Sequence, residues 1–222
     1  MNHTERRTGA LIRAALLVLL PLSVAFLCSG CQVIGAVAHA IPQTKKAQYA
    51  GLANQSVGVM VWADRAVKID WPSIQLDLAT RVQDKLRQSN TEELKGTSWP
   101  VLPASIVKYQ RNYPNTDSLP ITEVAPKLGV TRLIYLEVQS LSTRSEAAFQ
   151  LYRGNAAVTL KVVEVSGTQA KIGYEETGIR YVFPPKSAPE GIQNASDALI
   201  YQGTVVGLAQ QIVDRLTTHQ VE

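Results

Sequence analysis

The clearest pattern along the chain is Ile74, Leu78, Val82 and Leu86, apolar residues at strict four-residue spacing, with Asp77, Arg81, Asp84, Lys85 and Arg87 on other faces. This is the stripe of an amphipathic helix of about four turns. Ahead of it, Ser56-Val57-Gly58-Val59-Met60-Val61-Trp62 is a short β-branched run of the kind a buried strand gives. Asp64 to Asp70 reads as polar loop, and Pro72 suits the first turn of the helix that follows. Val101 to Val107 reads as a strand that Pro103 restricts to an edge or a break, and Gln110 to Pro120 as a loop rich in Asn and Pro. Thr122 is placed to cap a short helix closed by Gly129 in the left-handed conformation.

Arg132 to Val138 predicts the next strand, and Val158, Leu160 and Val162 alternate with Thr159, Lys161 and Val163. Ser166-Gly167-Thr168 turns that strand into Lys171 to Glu176, an antiparallel hairpin that Pro184-Pro185 breaks. Ile192, Ala195, Leu199, Val206, Ala209, Ile212 and Leu216 then lie near helical spacing and predict a long closing helix. Strand–helix alternation implies parallel neighbours, and the hairpin adds antiparallel edges. The expected fold class is α/β (α+β): a mixed sheet of about five strands with an antiparallel hairpin, packed by two long helices and one short helix.

The first residues carry an address. Arg6, Arg7 and Arg13 precede the apolar stretch Ala14 to Leu27, which is of signal-peptide length, short of the ~20 residues of a comfortable membrane span, and interrupted by Pro21. Leu27-Cys28-Ser29-Gly30-Cys31 resembles a bacterial lipobox, with Cys28 where an aliphatic residue is usual and Leu27 one place earlier. The resemblance implies cleavage between Gly30 and Cys31 and lipidation of Cys31. Gln32, where an Asp would favour the inner membrane, points to the outer membrane, facing the periplasm. Two rival readings are a C-x-x-C redox pair, which needs a strand and helix that a leader lacks, and an uncleaved transmembrane anchor. The expected organisation is a cleaved signal peptide (1–30), a lipidated amino terminus and tether (31–54) and one periplasmic domain (55–222).

Composition adds little chemistry. The formal charge of +4 falls to about +2 once Arg6, Arg7, Arg13 and Glu5 leave with the leader, and no basic patch with interleaved aromatics points to nucleic acid. The chain has two cysteines, so cleavage would leave one, blocked by lipid and unable to form a disulfide within the chain.

Three segments share a familiar cadence: Ser56 to Trp62, Glu123-Val124-Ala125-Pro126-Lys127-Leu128-Gly129-Val130-Thr131-Arg132-Leu133-Ile134-Tyr135, and Ala157 to Thr168. They resemble an envelope lipoprotein group that includes the curli-secretion channel lipoprotein, the penicillin-binding-protein activator lipoprotein and the amino-terminal domain of TolB. The resemblance runs over roughly residues 56 to 216, with Glu164 where an Asp is usual and Pro126 interrupting the short helix. It implies the α/β fold and a non-enzymatic lipoprotein that binds or scaffolds another envelope protein. A subunit of an oligomeric secretion or transport assembly is the alternative, and an envelope hydrolase a third.

No nucleotide-loop, nucleophile-elbow or zinc-helix motif is present, and His3, His39 and His219 lie in the leader, the tether and the chain end. No catalytic residue, metal ligand or small-molecule cofactor is therefore expected. Glu175-Glu176 has the residue types of paired glycosidase acids, but neighbours on a strand point to opposite faces. Asp64 with Asp70 reads as capping and turn formation. Asn194-Ala195-Ser196 reads as the start of the last helix. Tyr109, Arg111 and Tyr113 are residue types enriched at protein interfaces and form the candidate interface loop, with Val182-Phe183-Pro184-Pro185-Lys186 a weaker second.

Overall fold

The computed structural model of the chain describes residues 43–146, 148, 150–186 and 190–221. Gly30, Cys31 and the whole lipobox-like segment lie outside the described residues. The first half of the fold runs β1 (Gln43–Lys45), β2 (Val57–Ala63), α1 (Arg65–Asp70), α2 (Ile74–Gln88), α3 (Pro103–Asn112) and α4 (Ile121–Val124). The second runs β3 (Arg132–Arg144), β4 (Tyr152–Ser166), β5 (Gln169–Phe183), α5 (Asp197–Leu216) and β6 (His219–Val221). β2, β3, β4 and β5 form a four-stranded sheet in that order, and β1 and β6 form a sheet of their own. Lys45–His219 is one compact unit.

β2 runs parallel to β3, with Val59 opposite Ile134 and Val61 opposite Leu136, and the β3–β4 and β4–β5 pairs are antiparallel. A parallel pair needs a crossover, and the helices α1 to α4 supply it. One face of the sheet presents Val57, Val59, Val61, Ile134, Leu136, Val138, Val158, Leu160 and Val162 to α2 and α5. Ile74, Leu78, Val82 and Leu86 of α2 are at most 1 % exposed there, as their spacing predicts. The opposite face begins as a second, smaller core in which Met60, Leu133 and Val163 pack on Ile106 of α3, Val124 of α4 and Leu128. β2 is thus buried on both faces, which is why it reads as an unbroken apolar run.

Several expectations shift. Val101–Val107 is not a strand: Pro103 opens α3, where a proline's missing donor and fixed φ suit the first turn, and Ile106, Val107 and Gln110 bury one helical face. The main sheet accordingly has four strands. Asp64–Asp70 is not loop but α1, whose Asp64 side chain accepts the Ala66 N–H at 2.9 Å and so caps it. Pro72 falls between two helices, and Ser73 is the N-cap position of α2. Pro114–Ser118 is a 3-10 turn within the expected loop, and Thr122 lies inside α4, entered from Pro120. Gly129 does close the following turn, at φ +68°.

The hairpin strands are 15 residues each, longer than their alternation indicates. α5 starts at Asp197 behind Ser196, whose hydroxyl accepts the Leu199 N–H at 3.2 Å, so Ile192 and Ala195 precede the helix and Leu199 faces solvent. Packing also reaches back into the expected tether. Leu52 is fully buried, Tyr49 nearly so, and the Gln48 N–H donates to the Arg215 carbonyl at 2.7 Å. Among the described residues no helix is long and apolar enough to cross a membrane.

Candidate functional site

Tyr109, Arg111 and Tyr113 do not share a loop. They ride the last turn of α3 and its C-cap, where Tyr109 and Tyr113, four residues apart, bring their rings to 4.9 Å. Tyr109 is half-buried against the smaller core, Tyr113 is exposed, and Arg111 projects from a different side of the helix. The three therefore make no single surface. Val182 and Phe183 end β5 and face different sides of the sheet.

The site that the fold assembles lies where the cover over the second sheet face stops. Beyond α4, one row further along the strands, a groove of about 350 Å³ opens, bordered by Trp62, Asp117, Leu119, Tyr135, Glu137 and Lys161. Strand register explains its floor. Lys161 of β4 stands between Tyr135 of β3 and Glu175 of β5, and Glu137 follows Tyr135 on the same face. The Lys161 ammonium lies 2.8 Å from the Glu137 carboxylate and 3.6 Å from Glu175. Burial opposes the charge on Lys161, but Glu137 and then Glu175 outweigh it and hold its pKa above the ordinary lysine range.

The rim is built by α1 and the 3-10 turn before α4. Lys68 of α1 donates to Asp117 at 3.1 Å, and the same ammonium stands 5.8 Å from the centre of the Trp62 ring. Tyr135 is half-buried, and burial, followed by the Glu137 and Asp117 carboxylates, pushes its hydroxyl well above the usual tyrosine value. It stays neutral, with a hydroxyl able to donate or accept. Lys68, Asp117, Lys161, Glu137 and Glu175 together carry one more acid than base, so the groove is mildly negative.

Glu175 and Glu176 diverge as adjacent strand residues must. Glu175 faces Lys161, while Glu176 accepts from Arg215 and from Tyr174, each at 2.7 Å, on the other face. Glu164 lies elsewhere, accepting the Tyr49 hydroxyl at 2.9 Å and pairing with Lys171 at 3.3 Å. Burial, then Glu164, pushes that tyrosine up to about 12, and Arg132 braces it from behind at 3.0 Å. This second cluster ties the segment before β2 to the hairpin. Among the described residues no three side chains of His, Cys, Asp and Glu are grouped to hold a metal ion.

None of the groove residues stands out in the chain, because they come from four elements spread over about a hundred positions. A signal is nonetheless present. Tyr135 and Glu137 interrupt Leu133-Ile134-Leu136-Val138 at alternate positions, as Lys161 interrupts Leu160-Val162, which marks one face of an otherwise apolar sheet as partly open.

No protein-family model matches this chain, and no curated protein sequence matches it. Solved structures that resemble it include the hypothetical protein CT253 from Chlamydia trachomatis, at 13% identity and a TM-score of 0.41, covering 72% of this chain and 96% of that one. The PelC dodecamer from Paraburkholderia phytofirmans is similar at 10% identity and a TM-score of 0.36, covering 81% and 99%. The lipoprotein GNA1162 from Neisseria meningitidis is similar at 12% identity and a TM-score of 0.36, covering 72% and 98%. Likeness at this distance carries no activity across.

Proposed function

We propose that this chain is a lipid-anchored lipoprotein of the bacterial cell envelope, held at the outer membrane through Cys31, whose domain acts without catalysis by binding another envelope protein in the groove beside Trp62 and Tyr135. The observation that carries the reading is the state of the groove's ionisable groups. Lys161 is committed to Glu137 and Glu175, and Asp117 pairs with Lys68 at the more exposed rim. Paired charges beside a half-buried tryptophan and tyrosine form a surface suited to recognition, with aromatic area for burial and fixed charge for register. The lipobox-like leader supports the address.

The test is affinity capture by the full chain from cross-linked, detergent-solubilised envelope, in parallel with Leu119→Asp, a change at an exposed rim position. One envelope protein recovered by the parent and lost by the variant is the expected result. Recovery of no specific partner, or of the same partner by both, contradicts the reading.

A further inference from the structure

Lys68 occupies an unusual position. It belongs to a helix of only 6 residues, yet its ammonium reaches both an aromatic ring of β2 and a carboxylate of a turn almost fifty residues away. An ammonium held between a tryptophan face and a carboxylate is how proteins recognise cationic side chains of other molecules, since the ring quadrupole and the carboxylate attract the same charge from two directions. Here both recognition elements line the groove and the cation comes from the chain itself.

We propose that the Trp62–Asp117 pair is a receptor for a lysine or arginine side chain of the bound partner, filled in the free chain by Lys68 as a displaceable internal ligand. The proposal rests on the groove being the docking face and names the chemistry of what docks there. Lys68 and Asp117 are each about one-third exposed, at 33% and 35%, so solvent reaches the pair and screens it. Exposed ion pairs of this kind are weak, so a resident held by one is readily exchanged. The excess of acid over base in the groove favours an incoming cation over an anion. An exposed apolar residue neighbours each member of the resident ion pair along the chain: Ile69 follows Lys68 and is 69% exposed, and Leu119, 39% exposed and on the groove rim, stands two residues after Asp117. The fitting occupant is therefore a partner segment with a basic residue between apolar ones. Arginine fits better than lysine, because its planar group stacks on the indole while donating to the carboxylate.

The experiment uses the full chain in detergent micelles, labelled with fluorotryptophan. Trp62, Trp71 and Trp99 give three fluorine resonances, assigned with Trp62→Phe. The probes are capped Leu-Arg-Leu, Leu-Gln-Leu and Leu-Glu-Leu tripeptides. Leu-Arg-Leu should move the Trp62 signal saturably while Trp71 and Trp99, reporters of the fold, stay in place. Lys68→Ala, which empties the receptor, should bind that probe about three- to fivefold tighter, because the free site no longer pays for displacement. Asp117→Asn should bind it more weakly than the parent. Absence of saturable binding in Lys68→Ala, equal or weaker binding by that variant, or equal response to Leu-Glu-Leu overturns the proposal. If the probe fails while Leu119→Asp still abolishes capture of the envelope partner, the cation receptor is wrong and the docking face stands. If the probe behaves as expected while capture fails, the docking reading is what falls.

Discussion

The ring of Tyr181 lies directly over the Cα of Gly207, in a space that a methyl group at that glycine would fill. Phe183 occupies the same relation to Gly203. The match is metrical: four residues of helix rise about 6 Å and two residues of strand about 6.7 Å, so a Gly-x-x-x-Gly step on α5 stays in phase with alternate aromatics on β5. This contact brings the terminal helix close to the edge strand.

It yields a prediction with a change of sign. Gly207→Ala should destabilise the domain by about 1–3 kcal/mol through overpacking against Tyr181. In a Tyr181→Ala background the obstruction is gone, and the same change should stabilise it by about 0.5–1 kcal/mol, the ordinary gain of alanine over glycine inside a helix. Urea denaturation of the four proteins of this cycle checks it, and equal effects in both backgrounds would show that the ring does not bear on the glycine.

Lys161 predicts a hierarchy at the groove floor. It is 17% exposed and serves two carboxylates, so Lys161→Ala leaves Glu137 and Glu175 facing each other and should cost about 2 kcal/mol. Glu137→Gln should cost less, and Glu175→Gln least, since its contact is longer and its side chain 42% exposed. Thermal unfolding should rank the three variants in that order.

Acid should weaken the domain through identifiable carboxylates. The Thr143 hydroxyl and the Arg144 guanidinium hold Asp197 below the usual aspartate value. Burial raises Glu176, but Arg215 and Tyr174 outweigh it and hold it low as well. A carboxylate with a depressed folded pKa gives stability that is complete above its unfolded value, about 4, and lost as pH falls through the folded value. Denaturant midpoints should therefore fall steeply below about pH 4 in the parent, with a shallower fall in Asp197→Asn and Glu176→Gln. Identical slopes in all three would count against these pairs.

Much of this fold is legible along the chain, and the exceptions have physical causes. The Ile74–Leu86 stripe is recognisable because a strand's period of two would put Thr80 and Asp84 on the same face as Leu78, Val82 and Leu86, whereas a helix separates them. Val101–Val107 misleads because a short apolar run suits strand and helix alike, and its proline is as acceptable at a first helical turn as it is disruptive in a sheet. Tyr109 and Tyr113 look like loop residues because Asn112 and Pro114 surround them, whereas the helix runs on to Asn112. The groove is the hardest part to see. Trp62, Asp117, Tyr135 and Lys161 become neighbours only through strand register and a crossover, which no local pattern encodes.

The anchor has its own check. Palmitate labelling of cells expressing the chain should be abolished by Cys31→Ser, and the protein should leave the membrane fraction. Labelling that survives the change would remove the lipid from the account while leaving the groove untouched.

The central claim, that the groove beside Trp62 and Tyr135 is where a partner docks, is tested most directly by a photo-crosslinking residue placed in the full chain in intact cells. One position is Leu119 on the groove rim and the other Leu199 on α5, both solvent-exposed and on opposite faces of the sheet. The account predicts a discrete adduct with one envelope protein from Leu119 and none from Leu199. An adduct from Leu199 with none from Leu119 would contradict it.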